Sequence, residues 1–375
     1  MNYIRIFTNL IAVALFLALV PAALAHNTWY VDGVNGNDNN DCKSPQTACQ
    51  TIGHAISLAS SGDTIKVAPA TYTENLTISI SLKIIGSGAT TTIVDGNQAG
   101  TVFTINNPAQ VVLSNLTIQN GSAGYYGGGI WNNGTLAVTD SVVTASYGYY
   151  GAGGINSYGT LTITRSTISG NSTTWDGGGI LTQGGTAMIT DSTVSGNGAG
   201  NSGGGINAGY YSWTDATLTI SNSTISENGG GGICNYATLT INNSTLGGNG
   251  GGGIYQGGGS VTLQNSILSK NHGRNCTGTM TSSGYNLSSD KTCNFSGPGD
   301  LNDTKAKLAA LGNYGGPTQT IKEVSDSPTV DAGNPNGCTD SNGNLLTKDQ
   351  RGFPRPGAHK THKICDMGAF ERQTD

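Results

Sequence analysis

Apolar and polar residues alternate along most of the chain, and the alternation returns at a nearly fixed interval. Thr160-Leu161-Thr162-Ile163, Thr217-Leu218-Thr219-Ile220 and Thr238-Leu239-Thr240-Ile241 each put two aliphatic side chains on one face of a strand and threonines on the other, since successive side chains on a strand point to opposite faces. Ahead of each comes Gly-Gly-Ile, ending at Ile130, Ile155, Ile180, Ile206, Ile233 and Ile254, in steps of 25, 25, 26, 27 and 21 residues. A second short strand follows, as in Ser166-Thr167-Ile168 and Ser223-Thr224-Ile225, and units close on Asn171, Asn197, Asn228 and Asn249.

One such unit cannot bury its apolar face alone, but stacked units can, each aliphatic landing on its equivalent about 4.8 Å away. Three inward ladders are predicted. One is Ile118, Val143, Ile168, Val194, Ile225, Leu246 and Leu268. The second is Val138, Ile163, Ile189, Ile220, Ile241 and Leu263, and the third is the motif isoleucines themselves. Three strands per rung make an all-β, three-sided solenoid, a right-handed parallel β-helix. Asn and Gly at the corners are expected to supply left-handed backbone, which β-branched residues resist.

Opening rungs are predicted at residues 64–67, 76–78 and 81–85. Before them, Ile52, Ala55, Ile56 and Ala59 have helical spacing and read as a short helix over the open end of the coil. The expected boundaries are 26–63 for an N-terminal cap, 64–271 for the coil and 272–375 for a loop-rich C-terminal cap with a short helix at 305–311. Residues 1–25 read as a secretory signal peptide: Arg5, an apolar run over 10–20, and Ala23-Leu24-Ala25 as the cleavage site. No other run is long enough to span a bilayer, so no membrane span is expected after cleavage, and the protein is expected to be secreted, extracellular or on the cell surface.

Composition sharpens this picture. Glycine accounts for 59 of 375 residues without a three-residue period, which excludes collagen. A net charge of −5 with no basic stripe excludes a nucleic-acid partner. Seven cysteines in an exported chain suggest the disulfides Cys42–Cys49, Cys276–Cys293 and Cys338–Cys365, leaving Cys234 unpaired.

The glycine motif followed by Ile168-Ser169-Gly170-Asn171 resembles the repeats of bacterial polymorphic outer membrane proteins. The segments Leu311-Gly312-Asn313-Tyr314-Gly315-Gly316-Pro317, Ser327-Pro328-Thr329-Val330-Asp331-Ala332-Gly333, Asp349-Gln350-Arg351-Gly352-Phe353-Pro354-Arg355-Pro356 and Asp366-Met367-Gly368-Ala369-Phe370-Glu371 resemble the choice-of-anchor Q domain family. The resemblance implies a pectate-lyase-like β-helix exported to the surface or medium. It implies no defined activity and carries no catalytic residues over.

Chemistry along the shaft is sparse. From 97 to 269 only Asp140, Arg165, Asp176, Asp191, Asp215 and Glu227 are charged. Uronate lyases and epimerases need a base and cations for the carboxylate, and glycoside hydrolases need paired carboxylates. Asp140, Arg165 and Asp191 share one rung position that Asn fills elsewhere, so they read as corner residues rather than a catalytic set. Arg351, Arg355, Asp366 and Glu371 read as salt-bridge partners within the C-terminal cap. His54, His359 and His362 have no partner in a recognisable spacing.

The better candidates are aromatic. Tyr125, Tyr150 and Trp175 each lie five residues before a motif isoleucine, with Tyr126, Tyr147, Tyr149 and the Tyr210-Tyr211-Trp213 cluster nearby. Stacked on consecutive rungs, they are expected to form a stripe that binds a polysaccharide or cell-surface glycan through sugar-ring contact. Asp32, Asn35, Asn37, Asp38 and Asp41 offer hard oxygens for Ca2+, although such residues also make turns without metal. Asp340-Ser341-Asn342-Gly343-Asn344 is a weaker calcium-loop match. Three function classes follow: a non-catalytic adhesion or glycan-binding β-helix, which this reading prefers, a uronate polysaccharide lyase or epimerase, and a structural surface spacer.

Overall fold

In the computed structural model, residues 26–210, 215–357 and 364–373 are described. The signal-peptide segment, Tyr211, Trp213, His359 and His362 lie outside them. The described chain winds as a right-handed parallel β-helix. Its three sides are sheets of eleven, ten and nine strands among the described residues, with every strand parallel to its neighbours. A rung runs from Ile155–Ser157 on the third sheet to Thr160–Thr164 on the first and Thr167–Ser169 on the second.

All three aliphatic ladders form in the expected register. Val143 pairs between Ile118 and Ile168, Ile163 between Val138 and Ile189, and Ile155 between Ile130 and Ile180. These side chains are fully buried, each contributing roughly 1.5–3 kcal/mol of transfer free energy. Repetition of that small term holds the shaft together.

Asn and Gly supply left-handed backbone at the corners as expected, joined by Asp, Arg and Glu at some rungs. Left-handed backbone at the first corner falls on Asp140, Arg165, Asp191, Asn222, Asn243 and Asn265, with φ between 46° and 52°. At the second corner it falls on Gly170, Gly196, Glu227 and Gly248. The asparagines that follow, Asn171, Asn197, Asn228 and Asn249, are instead buried. Each donates its amide to the next asparagine's Oδ1 at 2.9–3.0 Å and to a backbone carbonyl of the preceding rung. A serine ladder does the same at the first corner: the Ser166 N–H donates to Ser192 Oγ and the Ser192 N–H to Ser223 Oγ. Glycine is needed where turns pass close together, since a Cβ on Gly204 would overlap the carbonyl oxygen of Gly229.

At the N-terminal end, a helix spans Ile52–Leu58, with Thr51 as its cap and Ile52 and Ala55 buried against the coil. Glu74 accepts the N–H groups of Ile52 and Gly53 at 2.9 and 2.8 Å, which satisfies two of the unpaired donors of the first turn. Thr28–Val31 pairs with Thr64–Val67, so the first sheet begins ahead of the helix. At the other end, Cys276–Thr277, Thr281–Ser282 and Leu287–Ser288 add one more strand to each side, carrying the coil past residue 271.

Two expectations for the C-terminal region are corrected. Residues 305–311 contain no helix. Lys307 has a φ of 48°, and Leu308–Gly312 pairs antiparallel with Thr320–Glu323. Leu308 and Ile321 are buried with Ile267, Leu287 and Met367, and that tertiary burial overrides the helix preference of the Leu and Ala residues. Nor is the region only an end cap, because from Leu308 onward the chain folds back along the flank of the second sheet. Thr193 Oγ1 donates to the Gln319 carbonyl, Thr224 Oγ1 to Gln350 Oε1, and Ala369 N–H to Thr245 Oγ1. The three expected disulfides are present, and Cys234 is unpaired and buried.

Candidate functional site

At the corner leading into the third sheet, Ser122–Ala123, Tyr147–Gly148, Ser172–Thr173 and Gly198–Ala199 pair as a small fourth sheet. Residues at the same offset from this sheet lie one rung apart. The sequence-predicted aromatics therefore come together: the Tyr125 and Tyr150 rings are 4.8 Å apart at 19°, and those of Tyr150 and Trp175 are 5.6 Å apart at 36°. Tyr126 stacks on Trp131 at 3.8 Å, and Tyr149 meets Tyr150 edge to face.

A separation of 4.8 Å at 19° means that the rings face one another and do not lie side by side. The column therefore turns its edges outward, with Tyr125 at 70% and Tyr150 and Trp175 at 43% exposure. Within this trio, ring faces are left open only at the two ends. The expected stacking on consecutive rungs forms, and what the column offers along its length is ring edges. Tyr210 is exposed at the opposite end of a third-sheet strand, after Ile206–Ala208.

The rung after Trp175 carries Asn201 in place of an aromatic, its N–H bonded to the Trp175 carbonyl. Beyond it the corner loops shorten, from residues 172–179 and 198–205 to 229–232 and 250–253. The step leaves a groove of about 450 Å³ floored by Gly230, Gly231, Gly251 and Gly252 and walled by Tyr236, Tyr255 and Arg274. Sequence reasoning missed this groove, although the fall in repeat length to 21 residues at Ile254 marks it. Asp176 is buried near its rim and accepts Asn201 Nδ2, Ser202 N–H and Ser202 Oγ at 2.8–3.1 Å. Cys234 lines the groove, with its thiol pKa pushed up by burial. Arg274 is exposed and makes no ion pair among the described residues.

The charged trio at the first corner separates into structural pairs. Arg165 forks onto Asp140 at 2.8 and 2.6 Å. Asp191 instead accepts Asn222 Nδ2 at 2.6 Å, and burial pushes its carboxyl pKa up. The trio does not converge on a site.

In the first Asx-rich loop, Asp32 Oδ1 accepts the N–H groups of Val34 and Asn35, and these bonds lower its pKa. Asp38 accepts the Gln50 and Thr51 N–H groups and Thr51 Oγ1, which together outweigh the opposing effect of burial and lower its pKa. Asp41 accepts Thr47 Oγ1 and the Lys43 N–H. Asn37 Oδ1 accepts the Asn39 N–H, and Asn35 Nδ2 donates back to Asp32. In the second loop, Asp340 accepts the N–H groups of Asn342 and Asn344. His54 approaches Cys42 and Cys49, but those two sulfurs are joined in a disulfide. In the C-terminal segment Arg351 pairs with Asp349 at 2.5 Å and Arg355 with Glu371 at 3.1 Å, both pairs buried. Asp366 accepts the N–H groups of Asp331 and Arg372 instead.

Comparison with known proteins agrees with the architecture. The family model described as a right handed beta helix region matches residues 102–268. The crystal structure of pectate lyase Pel9A is similar over 94% of this chain and 98% of its own, at 15% identity and a TM-score of 0.56. Pectin methylesterase PemA from Erwinia chrysanthemi covers 66% of this chain and 90% of its own at 14% identity and a TM-score of 0.34. A rhamnogalacturonan lyase covers 81% and 97% at 10% identity and a TM-score of 0.34. At such identities the likeness is one of fold. No curated protein sequence matches the chain. Among the described residues no helix is long and apolar enough to cross a membrane.

Proposed function

We propose that this is a secreted or cell-surface β-helix protein of the choice-of-anchor Q type that binds polysaccharide without cleaving it. The reading rests on one observation: the aromatic column ends at Trp175, and Asn201 at the same position of the next rung lines the glycine-floored groove. A glycan lying along the axis would meet the ring edges and tyrosine hydroxyls first. It would then reach the outer face of Trp175 and descend between Tyr255 and Arg274. Glycines on the floor admit a sugar ring close to the backbone, and the aromatic walls supply apolar contact with a polar edge. The groove lining carries no histidine, lysine or carboxylate, so it lacks the paired acids of a hydrolase.

The test is retention of the purified protein on a panel of neutral and acidic polysaccharides, with the ultraviolet absorbance of unsaturated products followed in parallel. Retention without new absorbance is expected, and it should be lost in Trp175→Ala and Tyr255→Ala. Retention unchanged in a Tyr125→Ala/Tyr150→Ala/Trp175→Ala/Tyr255→Ala variant defeats the site, and new absorbance defeats the non-catalytic reading.

A further inference from the structure

The outward face of the first sheet is a different surface from the groove. Across six consecutive rungs, from Thr135–Thr139 to Ser260–Gln264, three positions per strand point away from the core. The first of these reads Thr135, Thr160, Thr186, Thr217, Thr238 and Ser260, one above another. The middle position carries Thr162, Thr219, Thr240 and Thr262, interrupted by Ala137 and Met188. The third starts as Thr139, Thr164 and Thr190. Beyond these the C-terminal segment borders it, and Ser221 and Asn242 are buried.

Pairing runs through these six strands without a register shift. Hydroxyl–methyl units therefore repeat at about 4.8 Å between rungs and about 6.6 Å along each strand. Threonine is stiff at χ1, which limits the number of ways each unit can present itself. None of the threonine hydroxyls in the first two columns bonds within the described protein. By contrast, Thr193, Thr224 and Thr245 on the second sheet are bonded to the C-terminal segment.

The β-propensity of threonine explains its use on a strand. It does not explain why no outward position on these six rungs is charged, when a soluble surface is roughly a quarter to a third charged. Charges begin where the array ends, with Lys66 and Lys83 on earlier rungs of the same sheet and Asp140 and Arg165 at the corner. A flat, uncharged face excludes ionic ligands. A pocket of about 340 Å³ opens at its N-terminal edge, where Thr135 and Ala137 meet Lys83 and Gln110; over the rest of the face each hydroxyl would merely exchange one hydrogen bond for another. A ligand gains on such a face when its own hydrogen bonds already form a fixed two-dimensional repeat. Ice is an uncharged solid of this kind, with an oxygen repeat close to the spacing between rungs. Water held by the hydroxyls and caged around the methyl groups becomes its first layer. Many individually weak matches then add up along the face.

We propose that this threonine array is an ice-binding face. The test uses the purified full chain in a nanolitre osmometer, comparing it with Thr162→Lys/Thr219→Lys and with Met188→Thr. Wild type should produce facetted crystals and a gap between melting and growth temperatures. The lysine variant should lose both, and Met188→Thr should widen the gap by completing the middle column. Circular dichroism melting confirms that the variants fold. Thr219→Ser, which keeps the hydroxyl and removes the methyl group, serves as a second probe should the lysine variant fail to fold, and it should narrow the gap. Round wild-type crystals growing at the melting point overturn the proposal. So does facetting that survives in the folded lysine variant, or light scattering that shows a dimer dissociated by those lysines, which would mean that a second copy covers the face.

Discussion

Asn197 donates its side-chain amide to Asn228 Oδ1 across 3.0 Å, and its backbone N–H reaches the same oxygen at 3.1 Å. Asn228 also donates to the Val194 carbonyl and to Asn249 Oδ1. Both residues are buried, so every member depends on the one before and the one after.

Replacing Asn228 with alanine would leave two donors of Asn197 and the Val194 carbonyl without partners in a dry site. Each such group costs roughly 1–3 kcal/mol. A loss of about 3–9 kcal/mol is expected by urea unfolding. Asn228→Asp keeps an acceptor but turns a carboxylate toward the Val194 carbonyl and Asn249 Oδ1, so it should be at least as damaging. A midpoint shift no larger than that of an exposed threonine variant would show that the ladder is incidental.

Arg165 carries the opposite expectation. Its ion pair with Asp140 is substantially exposed, at 44% and 32% of the two side chains, and exposed pairs are worth about 0–1 kcal/mol. Its backbone sits at φ 46°, a conformation that costs an L side chain about 1–2 kcal/mol and glycine far less. Arg165→Gly should therefore leave the thermal midpoint unchanged or raise it, whereas Arg165→Val should lower it. Polysaccharide retention should be untouched by either.

The Asx loop at residues 32–41 gives a sharp outcome. The carboxylates of Asp32, Asp38 and Asp41 are already occupied by donors from their own loop and its neighbours. Calcium would have to displace these bonds to bind. Melting curves with chelator and with added Ca2+ should coincide, and a midpoint that rises with Ca2+ would instead establish the site built on Asp32, Asn35, Asn37, Asp38 and Asp41.

The shaft was legible because its order is periodic: Leu161 and Ile163 recur as Leu218 and Ile220, and period and register follow from that. What lacked a period was lost. Gln350 binds Thr193 and Thr318 from far along the chain, and no local pattern announces such a contact. The closing role of Asn171 did not reveal its buried ladder, because asparagine suits both a left-handed corner and a buried stack. The preceding Gly170 was the signal that the corner had already been made. The five-residue offset placed Tyr125, Tyr150 and Trp175 together, but whether faces or edges turn outward depends on side-chain torsions that spacing does not encode.

The buried acids of the folded-back segment make stability fall with rising pH. Glu323 is fully buried, and burial, with Asp366 and Glu371 nearby, raises its pKa well above the ordinary 4.5. Burial likewise raises Glu371 to about 7, against the pull of Arg355, and raises Asp366. A carboxyl with a raised folded-state pKa holds its proton more tightly folded than unfolded. Its stabilising effect is thus complete below the unfolded value and is lost as pH climbs through the folded one. For Glu371 the window runs from 4.5 to about 7, and Glu323 adds to the loss above its own ordinary 4.5. The lowered pKa values of Asp32, Asp38 and Asp340 act in the other direction, removing stability only as pH falls below about their ordinary 3.8. The thermal midpoint should therefore peak in mild acid and decline through neutrality. Glu323→Gln keeps the shape without the charge and should flatten that decline while leaving the acid limb alone. A variant whose midpoint falls with pH as steeply as wild type would place the titrating groups elsewhere.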